Sequence, residues 1–287
     1  MPKGGSVSDS IEALIDVLQP SRLSAVVDIG ANPIDGDPPY KSMLVRELCK
    51  LVAFEPQPDA LALLTASAGA HETYLPLAVG DGREHILRVT RASGMTSLLE
   101  PDRDRLALFN GFSEWGSVLK RVPVRTTRLD DVPQVRDMDY LKIDIQGGEL
   151  MVFQNAVEKL SKAVMVHTEV SFVPLYEEQP TFGDIDLELR RQGFIPHALA
   201  ALKRWPIAPV IYGGDFRIAK NQLLEADMVY VRDFRYSDQL SDDQLVNLAI
   251  LADAVYGSTD LACHCLTLLA QRGAIAIEAP GNYLSIL

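Results

Sequence analysis

The chain has 287 residues, a formal net charge of −12, 47% hydrophobic residues and only three cysteines. Its length allows one large hydrophobic core, and its acidic balance argues against a nucleic-acid partner, whose phosphates require clustered cations. No apolar run reaches the roughly 18 residues of a membrane span, and the first residues lack the apolar region of a secretory signal. With too few cysteines for a disulfide framework, the sequence predicts a soluble cytoplasmic globular protein.

Helical and extended patterns alternate along the first part of the chain. A helix is predicted within residues 1–20, where apolar residues recur at helical spacing until Pro20. Strands are predicted at SAVVDIG, LVAFEP, ETYLPLAVG, YLKIDI and AVMVHTEV, and helices between them at PYKSMLVRELCK, PDALALLTASAG and GELMVFQNAVEKL. Apolar strands separated by amphipathic helices are typical of parallel βαβ units that are covered on both faces.

The later part of the chain departs from this alternation. Residues 83–136 predict extra strands and loops, inserted after the third core strand. A helix at TFGDIDLELRRQGF and a last strand at MVYVRDF follow the core, and two helices are predicted after Phe234, the first with Ser241 and Gln244 as a capping box. We interpret this pair as a hairpin that packs on the main domain or, alternatively, as a surface for a homo-oligomer or another protein partner.

These elements predict an α/β protein with a doubly wound, mostly parallel sheet, an inserted β-rich segment and a C-terminal helical hairpin. The predicted division is an N-terminal helix at 1–20, a main domain at 21–235 and a helical extension at 236–287. Sheets of this kind bind ligands beyond the carboxyl ends of their strands, where the strand order reverses.

Two acidic residues stand at the ends of predicted strands. Asp28 ends the first strand, and the small residue Gly30 after it lets the backbone approach a ligand closely. Glu55 ends the next strand, where a carboxylate can accept two hydrogen bonds from a ribose diol. The G-x-G-x-x-G fingerprint that cradles a pyrophosphate is absent, and further acids nearby would repel phosphate but suit a positive charge. The pattern favours a phosphate-free cationic nucleoside, S-adenosylmethionine.

Four segments in this order, VVDIGAN, AFEPQP, TRLDDV and YLKIDIQGGEL, resemble the FkbM family of S-adenosylmethionine-dependent methyltransferases, which are mostly O-methyltransferases acting on sugars or polyketide-type products. The resemblance covers about residues 24–195 and implies the class I, Rossmann-like methyltransferase fold. It implies that the cofactor contacts lie at the ends of four strands, namely at Asp28, Gly30, Ala31, Asn32, Glu55, Pro56, Leu77, Ala78 and Asp144.

Two departures from the family pattern lie near these residues. The family usually passes from DIGAN-x-G almost directly into a helix, whereas this chain inserts PIDGDPP, which contains Asp35 and Asp37 and ends in prolines suited to a helix start. We interpret the insert as a stiff lip over the methionine end of the cofactor. At Gln146 the family typically has a glutamate, and the missing charge weakens the case for a catalytic role at that position.

Methyl transfer to a hydroxyl requires that the oxygen lose its proton, which calls for a general base. The candidates near strand ends are Glu169, His167, Asp144 and Glu149. Because His167 and Glu169 alternate in one strand, they share a face of the sheet. We favour one of these two as the base, with Asp144 positioning cofactor or substrate. For His167 a purely structural place at a strand end, and for Glu149 a place in the first turn of a helix, are alternatives.

The leading prediction is a methyltransferase that acts on a hydroxyl of a sugar, glycan or secondary metabolite. An NAD-dependent oxidoreductase shares the strand-end acid but requires the missing glycine fingerprint, and a non-catalytic methyltransferase-fold binding module is a third reading. No metal site is predicted, because the CHC segment at 263–265 diverges on a helix and has no second ligand pair nearby. The acceptor wall is expected from residues 83–136 and 196–222, with Trp115 and Trp205 as packing residues.

Overall fold

The computed structural model of this chain describes residues 7–32 and 36–286, with the backbone alone at residues 7–10. Its strands are β1 (Ser24–Ile29), β2 (Cys49–Phe54), β3 (Glu72–Leu75), β4 (Ala78–Val79), β5 (Glu84–Thr90), β6 (Val118–Thr127), β7 (Tyr140–Ile143), β8 (Met165–Ser171), β9 (Phe194–Arg204) and β10 (Leu223–Arg232). Its α-helices are α1 (Val7–Leu18), α2 (Lys41–Val45), α3 (Pro58–Ala66), α4 (Arg103–Leu106), α5 (Phe112–Trp115), α6 (Glu149–Gln154), α7 (Val157–Lys162), α8 (Phe182–Arg191), α9 (Asp242–Tyr256), α10 (Thr259–Gln271) and α11 (Ala279–Leu284). Among these described helices, none is long and apolar enough to cross a membrane.

The main sheet, within the described residues, has seven strands in the order β3-β2-β1-β7-β8-β10-β9. The first five run parallel to their neighbours, whereas β10 runs antiparallel to both β8 and β9. The strand order reverses between β1 and β7, so the carboxyl ends of these two strands border the crevice in which sheets of this kind bind ligands. The predicted doubly wound, mostly parallel α/β fold is confirmed.

One face of this sheet changes from apolar to ionisable along its strands. Side chains alternate between the faces of a strand, so Met165, His167 and Glu169 of β8 share a face with Tyr140 and Lys142, their neighbours on β7. Tyr140 and Met165 belong to an apolar core cluster, while the other three side chains line a large cavity. The alternation therefore brings the ionisable side chains together at the carboxyl edge of the sheet.

Helices from both ends of the chain cover the apolar half of this face. Leu14 of α1, Leu251 of α9 and Leu266 of α10 are fully buried in one cluster with Val26 and Met165 of the sheet. On the opposite face, α6, α7 and α8 pack over a second apolar cluster. The three predicted domains thus share one core in the described chain, and their division stays a prediction.

The helical extension forms the predicted hairpin on the main domain. α9 begins with the predicted capping box, in which the Gln244 N–H donates to Ser241 Oγ (3.2 Å) and the Ser241 N–H donates to Gln244 Oε1 (3.0 Å). A buried hydrogen bond of 2.7 Å from Ser24 Oγ to Asn247 Oδ1 joins α9 to the sheet. Because α9 is held to the sheet along its length, the extension is part of the folded core; its use as an oligomer or partner surface stays a prediction.

Residues 83–136 contain the inserted strands together with short helices. β5 and β6 pair antiparallel, and β4 joins β6 in parallel, which makes a second sheet of three described strands. The short helix α5 brings Phe112 and Trp115 into an aromatic cluster with Trp205 and Phe216. The insertion thus closes over the sheet edge through an aromatic contact with the segment between β9 and β10.

Two elements of the first half differ from the prediction. The helix predicted through residue 50 is wrong in its second half, because the helix ends at Val45 and Cys49 already pairs with Ser24 in the sheet, where it is fully buried. The single strand predicted over 72–80 is divided between β3 and β4, which belong to different sheets. Pro76 lies in the break and has no N–H to donate to a strand neighbour.

Two elements of the second half also differ. The helix predicted over 148–160 breaks at Asn155 into α6 and α7. The last strand, predicted from residue 228, begins at Leu223, and β9 occupies part of the 196–222 segment, for which no strand was predicted. β9 lies at the edge of the sheet with several exposed side chains, so it lacks the apolar run by which the buried strands are recognised.

The shared core predicts that the extension stabilises the whole chain. Leu251→Ala leaves a cavity where α9 meets the sheet and is expected to lower the free energy of unfolding by about 2–5 kcal/mol, measured by urea denaturation. The control Leu187→Ala changes a side chain that is 71% exposed on α8 and is expected to stay within about 0.5 kcal/mol of the parent. Equal effects of the two substitutions would contradict the shared core.

Candidate active site

Two cavities meet at the carboxyl edge of β1 and β7. The larger has a volume of about 770 Å³ and the smaller a volume of about 130 Å³. The residues that line both cavities are Gly30, Asn32, Gly94, Asp144 and Gln146. A group held in the small cavity can therefore reach the large cavity at this junction.

The turn after β1 forms one side of the junction. The N–H groups of Gly30 and Ala31 both donate to the carbonyl oxygen of Phe54, at 3.1 and 3.2 Å, which holds the turn against β2. Gly30 has φ 84°, and a Cβ at this position would lie 2.0 Å from the carbonyl oxygen of Asp144. Only glycine fits both the backbone conformation and the close approach of the two strand ends.

The small cavity is suited to an uncharged nucleoside. Its walls include Glu55, Pro56, Leu77 and Ala78, and among its described lining residues there is no lysine or arginine. Glu55 is 2% exposed and accepts a hydrogen bond from the Gln57 N–H at 2.7 Å. Burial raises the pKa of Glu55, and the charge of Asp28 adds to this shift. A buried carboxylate beside an apolar wall can accept hydrogen bonds from a ribose, whereas a pyrophosphate would find no cation here.

The insert after the turn borders the large cavity. Residues 33–35, including Asp35, lie outside the described residues, while the segment 36–39 lines the cavity. The next residue, Tyr40, is buried and donates a hydrogen bond of 2.5 Å to Asp28 Oδ2. The residue that follows the insert thus places a buried hydroxyl against Asp28. The action of the insert as a lip stays a prediction.

Asp28 forms a buried ion pair with Lys142. Lys142 Nζ lies 3.4 Å from Asp28 Oδ1 and 3.3 Å from the carbonyl oxygen of Gly30, to which it donates. Burial alone would lower the pKa of Lys142, but the charges of Asp28 and Asp144 outweigh it and raise this pKa. Asp28 Oδ1 accepts no hydrogen bond from the described residues. The acid is therefore balanced by charge on a neighbouring strand and retains an oxygen that can accept another hydrogen bond.

Gln146 joins two carboxylates of the site. Its Nε2 donates to Asp144 Oδ1 and to Glu169 Oε2, both at 3.0 Å. Its backbone lies in the left-handed region (φ 58°), a conformation that is uncommon for glutamine. The Ser97 hydroxyl helps to hold it there by donating to the Gln146 carbonyl at 2.6 Å. A glutamate at this position would place a third carboxylate between the other two, so the amide is matched to its neighbours.

Glu169 lies in a group of acidic side chains contributed by β8 and β10. Burial and the charge of Asp144 raise the pKa of Glu169 well above its usual range. Across the strand pair, burial raises the pKa of Asp227 to about 6, while Glu225 forms an ion pair with Lys203 of β9. Because a carboxyl with a raised pKa binds a proton more readily than an ordinary one, Glu169 is chemically suited to take a proton from a substrate.

His167 lies beside Glu169 on the cavity side of β8. Its Nδ1 lies 2.7 Å from the hydroxyl oxygen of Tyr256 at the end of α9, and the two rings stack with centroids 6.1 Å apart. Burial and the charge of Lys142 lower the pKa of His167 to about 4. The imidazole is therefore neutral at neutral pH and has one of its nitrogens engaged.

Glu149 holds the loop that follows β7. The N–H groups of Ile145 and Gly147 donate to its two carboxylate oxygens at 2.8 and 2.9 Å. Burial raises the pKa of Glu149 to about 7. Neither cavity is lined by Glu149, so its contacts are those of a loop-closing residue; the catalytic role predicted for it is not supported by any contact with the cavities and stays a prediction.

Carboxylate oxygens of Asp144, Glu149 and Glu169 lie within 4.8 Å of one another, a spacing that a metal ion could bridge. Two backbone N–H groups and the Gln146 amide already donate to these carboxylates. The donors supply part of the stabilisation that a cation would give. We assign no metal to these carboxylates.

Aromatic side chains form part of the wall of the large cavity. Phe112, Trp115 and Trp205 line the large cavity, and the two indole rings meet edge to face with centroids 5.8 Å apart. Trp205 Nε1 donates to the carbonyl oxygen of Asn110 at 3.2 Å. Both tryptophans therefore pack against each other, as expected, and also present ring surface to the cavity.

All of the predicted site residues except Glu149 line one or both of the two cavities. The small cavity is lined by Gly30, Asn32, Glu55, Pro56, Leu77, Ala78 and Asp144, and the large cavity by Asp28, Gly30, Ala31, Asn32, Asp144, His167 and Glu169. The roles given to these residues stay predictions.

Five polar side chains of the site were not among the residues predicted from the sequence, namely Tyr40, Lys142, Glu225, Asp227 and Tyr256. Glu225 and Asp227 alternate in β10 as His167 and Glu169 do in β8, so the same period of two would have found them. Tyr256 gave no such signal, because it lies far along the chain in the helical extension.

A family model for the methyltransferase FkbM domain matches residues 28–196, which is more than half of the chain. The chain belongs to this family. Membership confirms the prediction of a methyltransferase of class I fold with S-adenosylmethionine as its cofactor. The matched range contains the turn after β1 and all four catalytic candidates, Asp144, Glu149, His167 and Glu169. It ends before β10 and the helical extension.

Solved methyltransferase structures are more distant. Precorrin-6y C5,15-methyltransferase from Geobacter metallireducens GS-15 is 13% identical with a TM-score of 0.37, over 77% of this chain and 87% of that chain. The complex of LepI with SAM is 11% identical with a TM-score of 0.34, over 78% of this chain but only 46% of LepI. The 23S rRNA methyltransferase ErmE is 13% identical with a TM-score of 0.34, over 99% of this chain and 98% of that chain. No curated protein matches the chain. At these scores the structural matches do not bear on the acceptor.

The contacts of Glu149 predict a structural effect of its substitution. In Glu149→Gln an amide NH₂ would face a backbone N–H in place of an accepting oxygen, so we expect the free energy of unfolding to fall by about 1–3 kcal/mol, measured by urea denaturation at pH 8. The control Glu158→Gln changes an exposed acid in the first turn of α7 and is expected to have little effect. A stable Glu149→Gln protein without activity would instead support the catalytic role.

Proposed function

We propose that this chain transfers a methyl group from S-adenosylmethionine to a hydroxyl oxygen of a sugar, glycan or secondary metabolite. One observation carries the proposal: the small cavity beside Glu55, whose described lining has no lysine or arginine, opens past Asp144 and Gln146 into a large cavity in which Glu169 has a raised pKa. A nucleoside site and a proton-accepting group thus lie on the two sides of one junction, which is the arrangement that methylation of a hydroxyl requires.

The residues of the small cavity fit the cofactor. Glu55 would accept hydrogen bonds from the ribose hydroxyls, and Leu77 and Ala78 would pack against the adenine. When bound, S-adenosylmethionine supplies an electrophilic methyl group on a cationic sulfur. Asp28 and Asp144 are acids on the side of the large cavity and suit this positive charge. Aligning the acceptor with the methyl group in a cleft shielded from water supplies much of the acceleration.

Glu169 is our choice for the general base. Its side chain is 9% exposed, and the Gln146 amide fixes one oxygen at 3.0 Å, which leaves the other for the acceptor hydroxyl. His167 is a weaker choice, because its Nδ1 is already engaged by Tyr256 and its lowered pKa makes it a poorer proton acceptor than an ordinary histidine. Asp144 shares the same amide and would position the cofactor or the acceptor.

The lining of the large cavity favours a polar acceptor without phosphates. Its acids, Asp28, Asp37, Glu72, Asp144, Glu169, Glu225 and Asp227, outnumber its lysines, Lys41, Lys142 and Lys203. This excess of negative charge, like the net charge of −12, disfavours a nucleic acid. Trp115 and Trp205 offer ring surface on which the C–H face of a sugar can stack. A hydroxyl-rich acceptor fits both the acids, which accept hydrogen bonds, and the aromatic wall.

Two other functions remain to be tested against this proposal. An NAD-dependent oxidoreductase would need cations or a glycine-rich turn for the pyrophosphate, and the described lining of the small cavity has no lysine or arginine. A non-catalytic binding module would bind the cofactor without turnover, and methyl transfer to any hydroxyl of an acceptor panel would exclude it.

The proposed ribose contact predicts a loss of cofactor affinity. Glu55→Gln removes the charge of the accepting group, which for a charge-assisted hydrogen bond corresponds to about 1.5–3 kcal/mol. We expect S-adenosylmethionine to bind about tenfold to a hundredfold more weakly in calorimetry. The control Glu84→Gln alters an exposed acid on β5 and should bind as the parent does. Unchanged affinity in Glu55→Gln would remove Glu55 from the cofactor site.

The proposed base predicts a particular pH dependence. Protonation of Glu169 removes the base, so kcat/KM should fall as the pH drops through its raised pKa, which is at higher pH than for an ordinary glutamate. In Gln146→Glu a third carboxylate replaces the donor, and the acidic limb should move to still higher pH. Transfer of a labelled methyl group to an acceptor from a hydroxyl panel measures both profiles.

Two variants complete this test. Gln154→Glu adds the same charge on the exposed side of α6 and should leave the limb in place. Glu169→Gln should lower kcat about a hundredfold or more while cofactor affinity is retained. An acidic limb that does not move in Gln146→Glu, or full activity of Glu169→Gln, would rule out Glu169 as the base.

A further inference from the structure

We propose that Tyr256 of the helical extension is a positioning residue, which fixes the tautomer of His167 so that its Nε2–H is a hydrogen-bond donor at the acceptor cavity. The part of this inference that concerns the acceptor rests on the proposed function. The part that concerns the tautomer rests on the described hydrogen bonds alone.

Tyr256 is held in place by the way in which α9 ends. Gly257 lies in the left-handed region (φ 61°), and its N–H donates to the carbonyl oxygen of Asp253 at 3.0 Å. The N–H of Ser258 donates to the carbonyl oxygen of Ala252 at 2.8 Å. These bonds are those of a glycine-terminated helix end. They fix the last residue of α9 at the boundary between the apolar core and the ionisable half of the sheet face.

Tyr256 stands between a buried tyrosine and the histidine. Its hydroxyl oxygen lies 2.6 Å from that of Tyr140 on β7 and 2.7 Å from His167 Nδ1 on β8. Tyr140 has no exposed surface, and among the described residues its hydroxyl has no hydrogen-bond partner except Tyr256. Three polar groups in a row thus share the available protons.

Only one direction of donation satisfies every proton in this row. If Tyr140 donates to Tyr256 and Tyr256 donates to His167 Nδ1, both hydroxyl protons have acceptors. In the reverse direction, His167 donates to Tyr256, Tyr256 donates to Tyr140, and the buried Tyr140 proton has no acceptor among the described residues. If Tyr140 and His167 both donate to Tyr256, it is the Tyr256 proton that has no acceptor among the described residues. A buried donor without a partner destabilises the arrangement that contains it, so the first direction is the favoured one.

This direction determines the chemistry of the imidazole. A neutral histidine that accepts at Nδ1 carries its proton at Nε2. Burial keeps His167 neutral by lowering its pKa to about 4, and the nearby charge of Lys142 acts in the same sense while Asp144 opposes it. His167 lines the large cavity and Tyr256 does not. The ring therefore offers the cavity an N–H donor, which orients an acceptor oxygen but does not remove its proton.

The consequence is that two residues of β8 have different roles. Glu169 removes the proton of the acceptor hydroxyl, and His167 donates a hydrogen bond to the oxygen of that hydroxyl. Tyr256 lies outside the range matched by the family model, residues 28–196. The family match therefore does not include this contact between the extension and the site. The extension then has two roles: it covers the apolar core, and through Tyr256 it fixes the tautomer of His167.

Nitrogen-15 NMR of the five histidines tests the tautomer without any acceptor. With His167 assigned by the His167→Gln variant, its spectrum at neutral pH is expected to show the Nε2–H form. Tyr140→Phe should leave this form in place, because Tyr256 can still donate. Tyr256→Phe should produce a mixture of both tautomers, and the KM for an acceptor should rise several-fold with little change in cofactor affinity.

The control is Tyr283→Phe, which removes a buried hydrogen bond of 2.6 Å to Asp253 Oδ1 within the same extension. It should leave the His167 tautomer unchanged, whatever its effect on stability. A parent spectrum with the proton on Nδ1, or an unchanged spectrum in a folded Tyr256→Phe protein, would overturn the inference. Failure of the parent to bind S-adenosylmethionine would instead overturn the proposed function and would not alter the NMR result.

Discussion

The burial of ionisable side chains on one half of a sheet face is the constraint on which the rest of this structure depends. Strand alternation gives β1, β7, β8 and β10 an apolar residue against the helices and then, two residues nearer the crevice, a charged or polar residue. The helices α1, α9 and α10 cover the apolar half. Because a helix cannot bury unpaired charges without a large cost, the cover ends where the ionisable half begins, and the cavity lies there.

The acids of this half are tolerated because each has a nearby donor or cation. Lys142 lies beside Asp28, Lys203 beside Glu225, and the Gln146 amide between Asp144 and Glu169. The compensation is partial, since Glu169 and Asp227 retain raised pKa values. Perturbed carboxyl groups that converge in a cleft are the usual setting of acid–base chemistry. Burial of these carboxyl groups is costly, and the same carboxyl groups are proposed to bind the cationic cofactor and to take the proton of the acceptor hydroxyl.

The sequence is sufficient for the parts of this arrangement that are local. The strand ends at Asp28 and Glu55, the alternation in β8 and the capping box of α9 follow from residues within a few positions of one another. The parts that depend on tertiary contacts could not be predicted from such short-range patterns. Cys49 is a strand residue because of its neighbour on β1, and Tyr256 reaches His167 across 89 residues of sequence. No short-range pattern contains that contact, so the extension was predicted only to pack on the main domain or to bind a partner, and not to contact the site.

The location of bound S-adenosylhomocysteine tests the central claim most directly. A crystal structure of this complex is predicted to show the adenosine in the small cavity, its ribose hydroxyls donating to Glu55, and the sulfur directed past Gln146 into the cavity that Glu169 and His167 line. A ligand bound elsewhere, or one whose sulfur points away from the ionisable half of the sheet face, would contradict the assignment of that half as the site of methyl transfer.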